Sequence, residues 1–220
     1  MKKKIIKKIQ NMSGSYSPYV IFTDWVEMMA LSIQNSIYLF HNSIWQMREQ
    51  QYLGIIKKYD KKTQHEFTEL CAMLTAAYEE EGACDLLGEI YMEAGCGNKQ
   101  TGQFFTPFHL SELCAQLSIG DVDEEHKLIL NEPSTGGGGM ILAAAKVLRK
   151  KGINYQRCMD VTAQDLDWKG VYMSYVQFSL LGIPAIVVQG DTLCEPFTDI
   201  KHYQQERVFI TPAKMGVLTG

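Results

Sequence analysis

The stretch Leu128–Leu148, "LILNEPSTGGGGMILAAAKVL", is the strongest constraint on the fold. A short apolar run ends in a carboxylate, a proline and four consecutive glycines, Gly136 to Gly139. An alanine-rich helical run follows at once. Ordering a glycine costs up to about 1 kcal/mol relative to alanine. Four of them between a strand and a helix point to main chain that must come close to something. In a sheet of parallel strands joined by helices, ligands sit beyond the C-terminal strand ends. The turn after the first strand passes nearest to them, and the next helix opens with unpaired N–H groups.

The second half of the chain fits such a sheet. "KLIL" (127–130), "RCMDVTA" (157–163), "AIVVQ" (185–189) and "RVFI" (207–210) read as strands. Met140 to Lys150 and Trp168 to Leu181 read as helices between them. Thr106-Pro107 reads as the N-cap and first residue of an earlier helix, with Leu110, Leu113, Cys114 and Leu117 on one apolar face. This alternation implies an α/β fold with a doubly wound, Rossmann-like parallel sheet. The first half reads as helical. Ser17-Pro18 is a helix start, and Asp24 with Glu27 fits a capping box. Trp25, Met29, Ile33, Ile37, Phe40 and Ile44 make one apolar face, on one long helix or two closely joined ones. Phe67, Leu70, Cys71, Leu74 and Tyr78 make a second stripe, and Leu86, Leu87, Ile90 and Tyr91 a third, all suited to core packing. "GCGNKQTG" lacks periodicity, so the boundary is set there: a helical region 1–97 and an incomplete α/β domain 98–220.

Composition narrows the function. At 46% hydrophobic and 21% charged residues the chain is ordinary for a soluble globular protein. No apolar run approaches the roughly 20 residues of a membrane span, so no membrane partner is expected. "MKKKIIKKIQ" is followed by the polar "NMSGSYSPYV", which does not suit an export signal. The six cysteines show no CxxC pair and no metal-ligand spacing, so they read as reduced thiols, with a cytoplasmic location and no metal site. The net charge is −4, and the five lysines among the first ten residues leave −9 on the remainder. Such a body is a poor non-specific nucleic-acid binder, and the lysine arm reads as a solvated, frayed terminus.

Three strands in succession end near an acid. Glu132 stands at the mouth of the first, Asp165 follows the second, 27 residues beyond Gly138, and Asp191 follows the third. An acid at the second-strand tip is a usual partner of ribose hydroxyls. The set would repel a phosphate and accept a neutral or cationic nucleoside, which favours S-adenosylmethionine over NAD.

With these residues in view, "TGQFFTPFHLSELCAQL", "NEPSTGGGGMILAAA", "AQDLD" and "GDTL" in this order resemble the adenine-N6 DNA methyltransferases, most of all the modification subunits of type I restriction systems. The likeness covers Gly102 to about Leu193 well, and the helical part more loosely. It implies that Gln103, Phe104, Phe105, Thr106 and Pro107 help hold the methionine end of S-adenosylmethionine. It implies that Glu132, Pro133, Ser134, Thr135, Gly136, Gly138 and Gly139 wrap the cofactor, that Asp165 takes the ribose and that Asp191 lies near the adenine. The family then carries Asn-Pro-Pro-Phe/Tyr to hold the flipped target base. Here Thr211, Pro212, Ala213 and Lys214 stand in its place, with Thr211 and Pro212 as degenerate catalytic counterparts. The lost aromatic ring alone removes a stack of about 1–3 kcal/mol. With strand order 3-2-1-4, the fourth strand would be a bare edge inviting a partner subunit or a second copy.

The resulting expectation is an S-adenosylmethionine-binding protein of this family, with DNA as a partner by resemblance and no adenine methylation by the chain alone. Three other readings fit the same residues: an active methyltransferase completed by a partner subunit, a non-enzymatic module that binds DNA or a partner, and a small-molecule nucleotide enzyme of the same sheet class.

Overall fold

The computed structural model describes residues 1–38, 40–96, 105–120, 122 and 127–216. The N-terminal half forms five helices: α1 (Lys2–Met12), α2 (Pro18–Ser36), α3 (Ser43–Ile56), α4 (Lys61–Glu81) and α5 (Leu86–Glu93). The lysine-rich start is not frayed. Ile5, Ile6 and Ile9 share one side of α1 and are buried against the other helices. The lysines around them find acids: Lys2 bonds Glu89 and Glu93, and Lys8 bonds Glu69. Ser17 caps α2 by accepting from Val20 N, as its sequence suggests. Asp24 and Glu27 form no capping box, because both lie inside α2. Asp24 is instead buried and accepts from Tyr59 Oη at 2.8 Å and Lys58 Nζ at 3.2 Å. Asn42, Asp60 and Asp85 cap the next three helices.

Helix α6 (Phe108–Ser118) opens the second half, with Pro107 as its N-cap residue, one position earlier in the helix than its sequence suggests. Then come β1 (Leu128–Glu132), α7 (Gly139–Lys150), the single turn α8 (Tyr155–Cys158), β2 (Met159–Asp165), α9 (Trp168–Leu180), β3 (Ala185–Gln189) and β4 (Val208–Ile210). Strands β1, β2 and β3 are parallel neighbours, with Glu132 opposite Ala163 and Asp165 opposite Gln189. The three strand ends therefore form one rim.

The fourth strand departs from expectation. The sheet order is β1-β2-β3-β4, and β4 runs antiparallel on β3, with Val188 opposite Val208 and Ile186 opposite Ile210. Its outer edge is not bare. Arg48 Nη2 donates to Val208 O at 2.8 Å, and Ile210 N donates to Gln34 Oε1 at 2.7 Å. Two buried polar side chains from α2 and α3 thus meet backbone groups that would otherwise seek another strand. Val208 and Phe209 are buried. Among the described residues the unpaired edge is that of β1.

Strand alternation sorts side chains onto two faces. Val161, Ala163, Ala185, Val187 and Phe209 join the helices in one core, which runs unbroken from α1 to the sheet. Ile186, Val188, Val208 and Ile210 face the other way, against Phe197, Ile200 and Tyr203 of the β3–β4 connection. Ile129, on that second face of β1, is 79% exposed. The expected boundary at 97/98 falls on residues outside the described ones.

Helix α6 also reverses an expectation. Its buried residues are Ser111 and Ala115, and α6 packs against the alanine-rich α7. Small side chains let the two helix backbones approach closely. The leucine stripe points outward instead, with Leu117 79% exposed and Leu110 and Leu113 about half exposed. No helix among the described residues is long and apolar enough to cross a membrane, and no described cluster of acids, histidines and cysteines could hold a metal ion.

Candidate functional site

The glycine turn carries β1 into α7 at the C-terminal rim of the sheet. Thr135 N donates to Gln164 O at 3.0 Å, which pins the turn to β2. Gly136 at φ +51° and Gly138 at φ +97° adopt the left-handed region that side chains disfavour. Gly138 is the N-cap residue of α7, and a Cβ there would lie 2.7 Å from Phe178 Cε1. A Cβ on Gly136 would press the Phe105 ring at 3.0 Å. Among the described residues, one on Gly139 would meet only Asp85 Oδ2 at 3.5 Å and Ser111 Oγ at 3.6 Å. Gly138 therefore answers to the fold, whereas Gly139 keeps space clear beside two polar groups.

Asp165 ends β2 and reaches back to this turn. Its Oδ2 accepts from Gly136 N at 2.6 Å, and its Oδ1 accepts from Asp167 N at 2.9 Å. Burial holds its carboxyl above the usual range, against the pull of those two bonds. Each carboxylate oxygen still has capacity to accept from a ligand hydroxyl.

These groups enclose a cleft of about 340 Å³ lined by Asp85, Phe105, Thr106, Ser111, Ser134, Thr135, the glycines, Met140 and Asp165. The Phe105 ring forms one wall, with the Tyr91 ring tilted against it at 5.4 Å. The lining holds two carboxylates and, among the described residues, no cationic side chain.

The structure thus brings together Phe105, Thr106, Ser134, Thr135, Gly136, Gly139 and Asp165 from the residues singled out in the sequence. Gln103 and Phe104 lie outside the described residues. Pro107, Glu132, Pro133 and Gly138 shape the surrounding backbone without lining the cleft. Glu132 Oε1 accepts from its own loop at Ser134 N, and Pro133 O accepts from Thr192 Oγ1 at 2.6 Å, tying the first and third loops together. Asp191 is also off the lining; its carboxylate accepts from Leu193 N, a bond that lowers its pKa.

Asp85 and Ser111 were missed. The only sequence signal for Asp85 was its place as a helix N-cap, in "DLLG". Its Oδ1 accepts from Gly88 N and from Gln177 Nε2, and Gln177 Nε2 also donates to Gly137 O at 2.5 Å. Tyr78 completes this buried network by donating to Gln177 Oε1. Burial raises the Asp85 carboxyl, opposed by the bonds from Gln177 and Gly88. A carboxyl raised on folding favours the folded state while protonated, and that contribution fades as pH climbs through the raised value. Asp85→Asn is therefore expected to melt above the wild type at about pH 7.5 without ligand, with the gap closing towards about pH 4. Thermal melts at the two pH values check this.

Thr211 and Pro212 do not reach the cleft. Because β4 is antiparallel, its end lies at the start of β3, at the opposite end of the sheet from the glycine turn. Thr211 is fully buried, accepting from Ala185 N at 2.9 Å and donating to Ile183 O at 2.8 Å. Lys214 pairs with Asp160. Thr211→Val should cost about 1–3 kcal/mol of stability, by leaving Ala185 N unpaired, and should not change ligand affinity. Denaturant melts and calorimetry separate the two effects.

The family model of the N-6 DNA methylases matches residues 83–211, more than half of the chain. The match begins inside the helical half and includes Asp85. A solved structure from Listeria monocytogenes, assigned to the class I S-adenosylmethionine-dependent methyltransferases, superposes with a TM-score of 0.52 at 10% identity, over 90% of this chain and 55% of that one. The methyltransferase subunit of a type I restriction-modification system from Streptococcus thermophilus gives a TM-score of 0.47 at 20% identity, over 88% of this chain and 44% of that one. The chain spans about half the length of each.

Proposed function

The chain belongs to the N-6 DNA methylase family, and on that premise we propose that it binds S-adenosylmethionine in the glycine-turn cleft and does not methylate adenine in DNA by itself. Family membership implies an S-adenosylmethionine-dependent mechanism. The observation that carries the reading is the cleft itself: bare glycine backbone at a helix N-terminus, Asp165 at the second-strand tip, and two carboxylates with no described cation. A dinucleotide's phosphates would meet repulsion there, and a sulfonium nucleoside would not. Two buried hydroxyls without hydrogen-bond partners among the described residues, Ser111 Oγ and Thr135 Oγ1, leave polar capacity for a ligand.

In this reading Asp165 accepts from the ribose hydroxyls, Phe105 packs on the ligand, and Gly136 and Gly139 let the backbone approach it. The cofactor supplies an electrophilic methyl group when bound. Among the described residues the receiving half of the reaction is not assembled. Thr211 has spent its hydroxyl on β3, and no described aromatic ring takes the place of the family's stacking residue in that segment. The test is tritiated methyl incorporation into unmethylated genomic DNA by the purified chain. Counts no higher than an Asp165→Ala control are expected. Turnover above that control would favour the rival reading of a complete enzyme.

The exposed leucines of α6 and the unpaired edge of β1 support a second copy as the cover, in place of the β4 edge expected from sequence. Light scattering is expected to give a dimer, and Leu113→Glu with Leu117→Glu is expected to give a monomer. A wild-type monomer at high concentration contradicts this part of the reading.

A further inference from the structure

We propose that Asp85, together with Ser111, is the acceptor for a primary ammonium group at the inner end of the cleft, so that the site selects nucleosides carrying an α-amino acid over those without one. The inference rests on the cofactor reading above and assigns that ligand's amino end to a residue outside the glycine loop.

Three acids were candidates for this task. Glu132 directs its carboxylate at Ser134 N and does not line the cleft. Asp165 has one backbone N–H on each oxygen and sits at the strand tip, where ribose is expected. Asp85 differs from both. Its Oδ1 holds two donors, and its Oδ2 faces the space beside Gly139 with no hydrogen bond among the described residues. The same space is bordered by Ser111 Oγ, whose residue is fully buried and whose oxygen has no partner among the described residues. Thr135 Oγ1, on a third lining residue, is also buried and without a partner among the described residues. Buried polar atoms without partners are uncommon in folded proteins and call for an explanation. An ammonium has three donors and no acceptor, and it needs an anion when buried. The cluster offers oxygen acceptors, one of them a carboxylate, and no described cation competes for them.

The network behind Asp85 makes the carboxylate a fixed feature. Gln177 joins it to Gly137 O, and Tyr78 and Leu87 N hold Gln177 in turn. Asp85 therefore links the α5 N-terminus to the glycine turn, and an occupied Oδ2 would be felt in both.

Isothermal titration with three probes tests the proposal: S-adenosylmethionine, S-adenosylhomocysteine, and 5′-methylthioadenosine, which lacks the amino-acid end. Asp85→Asn is expected to weaken the first two more than tenfold and to leave the third within about twofold of the wild type. Ser111→Ala should weaken the same two by a smaller factor, and it serves if Asp85→Asn fails to fold. Equal loss for all three probes would make Asp85 a structural residue only, and unchanged affinity for the first two would remove it from the site. A wild-type chain that binds none of the probes would overturn the cofactor reading itself, and this assignment with it.

Discussion

Gly138→Ala is expected to destabilise the protein more than any other substitution in the glycine turn, by about 2–5 kcal/mol. Two costs add. The residue sits at φ +97°, where a side chain meets its own backbone. The new methyl would also lie 2.7 Å from Phe178 Cε1 and 3.2 Å from Ser174 Cβ, both on the buried face of α9. The Phe178 ring is fully buried, and close-packed interiors yield little to an added methyl. Gly152→Ala is the control. Its φ of +78° carries the backbone cost, but nothing lies within 4 Å of the added carbon. Urea melts of the two variants should differ by the overpacking term, about 1–3 kcal/mol. Equal destabilisation would mean that α9 does not press on the turn. Gly139→Ala makes the complementary case: it should fold normally and lose ligand, because its methyl enters the space beside Asp85 and Ser111.

The second large effect is expected at Asp165. Asp165→Ala removes the carboxylate that accepts from Gly136 N and Asp167 N, so the turn loses its tether, and with it the acceptor proposed for ribose. Each charge-assisted bond contributes about 1.5–3 kcal/mol. S-adenosylmethionine affinity should fall more than tenfold for one lost ribose bond and more than a hundredfold for two. Asp165→Asn keeps an acceptor oxygen and should lie between the alanine variant and the wild type. Binding by Asp165→Ala at wild-type strength would show that the ligand sits elsewhere.

The glycine turn, the three parallel strands and the helices between them were legible because each is written locally. Gly136 to Gly139 follow an apolar run and precede an alanine-rich one, and few structures satisfy that order. Ser17-Pro18 states a helix start in two residues. Periodicity says which residues share a helix face, and not what covers that face. The stripe Leu110, Leu113 and Leu117 therefore read as core, although the small Ser111 and Ala115 hold α6 against α7. The same limit applied to the N-terminal lysines, whose charge hid the Ile5, Ile6 and Ile9 stripe. Strand direction is weaker still: "VFI" contains nothing that distinguishes parallel from antiparallel, and Arg48 and Gln34, far away in sequence, finish its edge. Thr211 was placed by its order in the chain, and the reversed strand carries it to the far end of the sheet. In the site, Asp165 was readable from its distance to the glycines. Asp85 was not, because only the packing of α5 against α9 sets its carboxylate beside Gly139.

The ligand assignments all require that the cleft accept a sulfonium nucleoside. The most direct measurement is a calorimetric titration of the wild-type chain with S-adenosylmethionine, run beside NAD and ATP. One saturable site for S-adenosylmethionine is expected, with binding of either phosphate-bearing nucleotide at least about tenfold weaker. No saturation at millimolar S-adenosylmethionine, or equal binding of NAD or ATP, would contradict it.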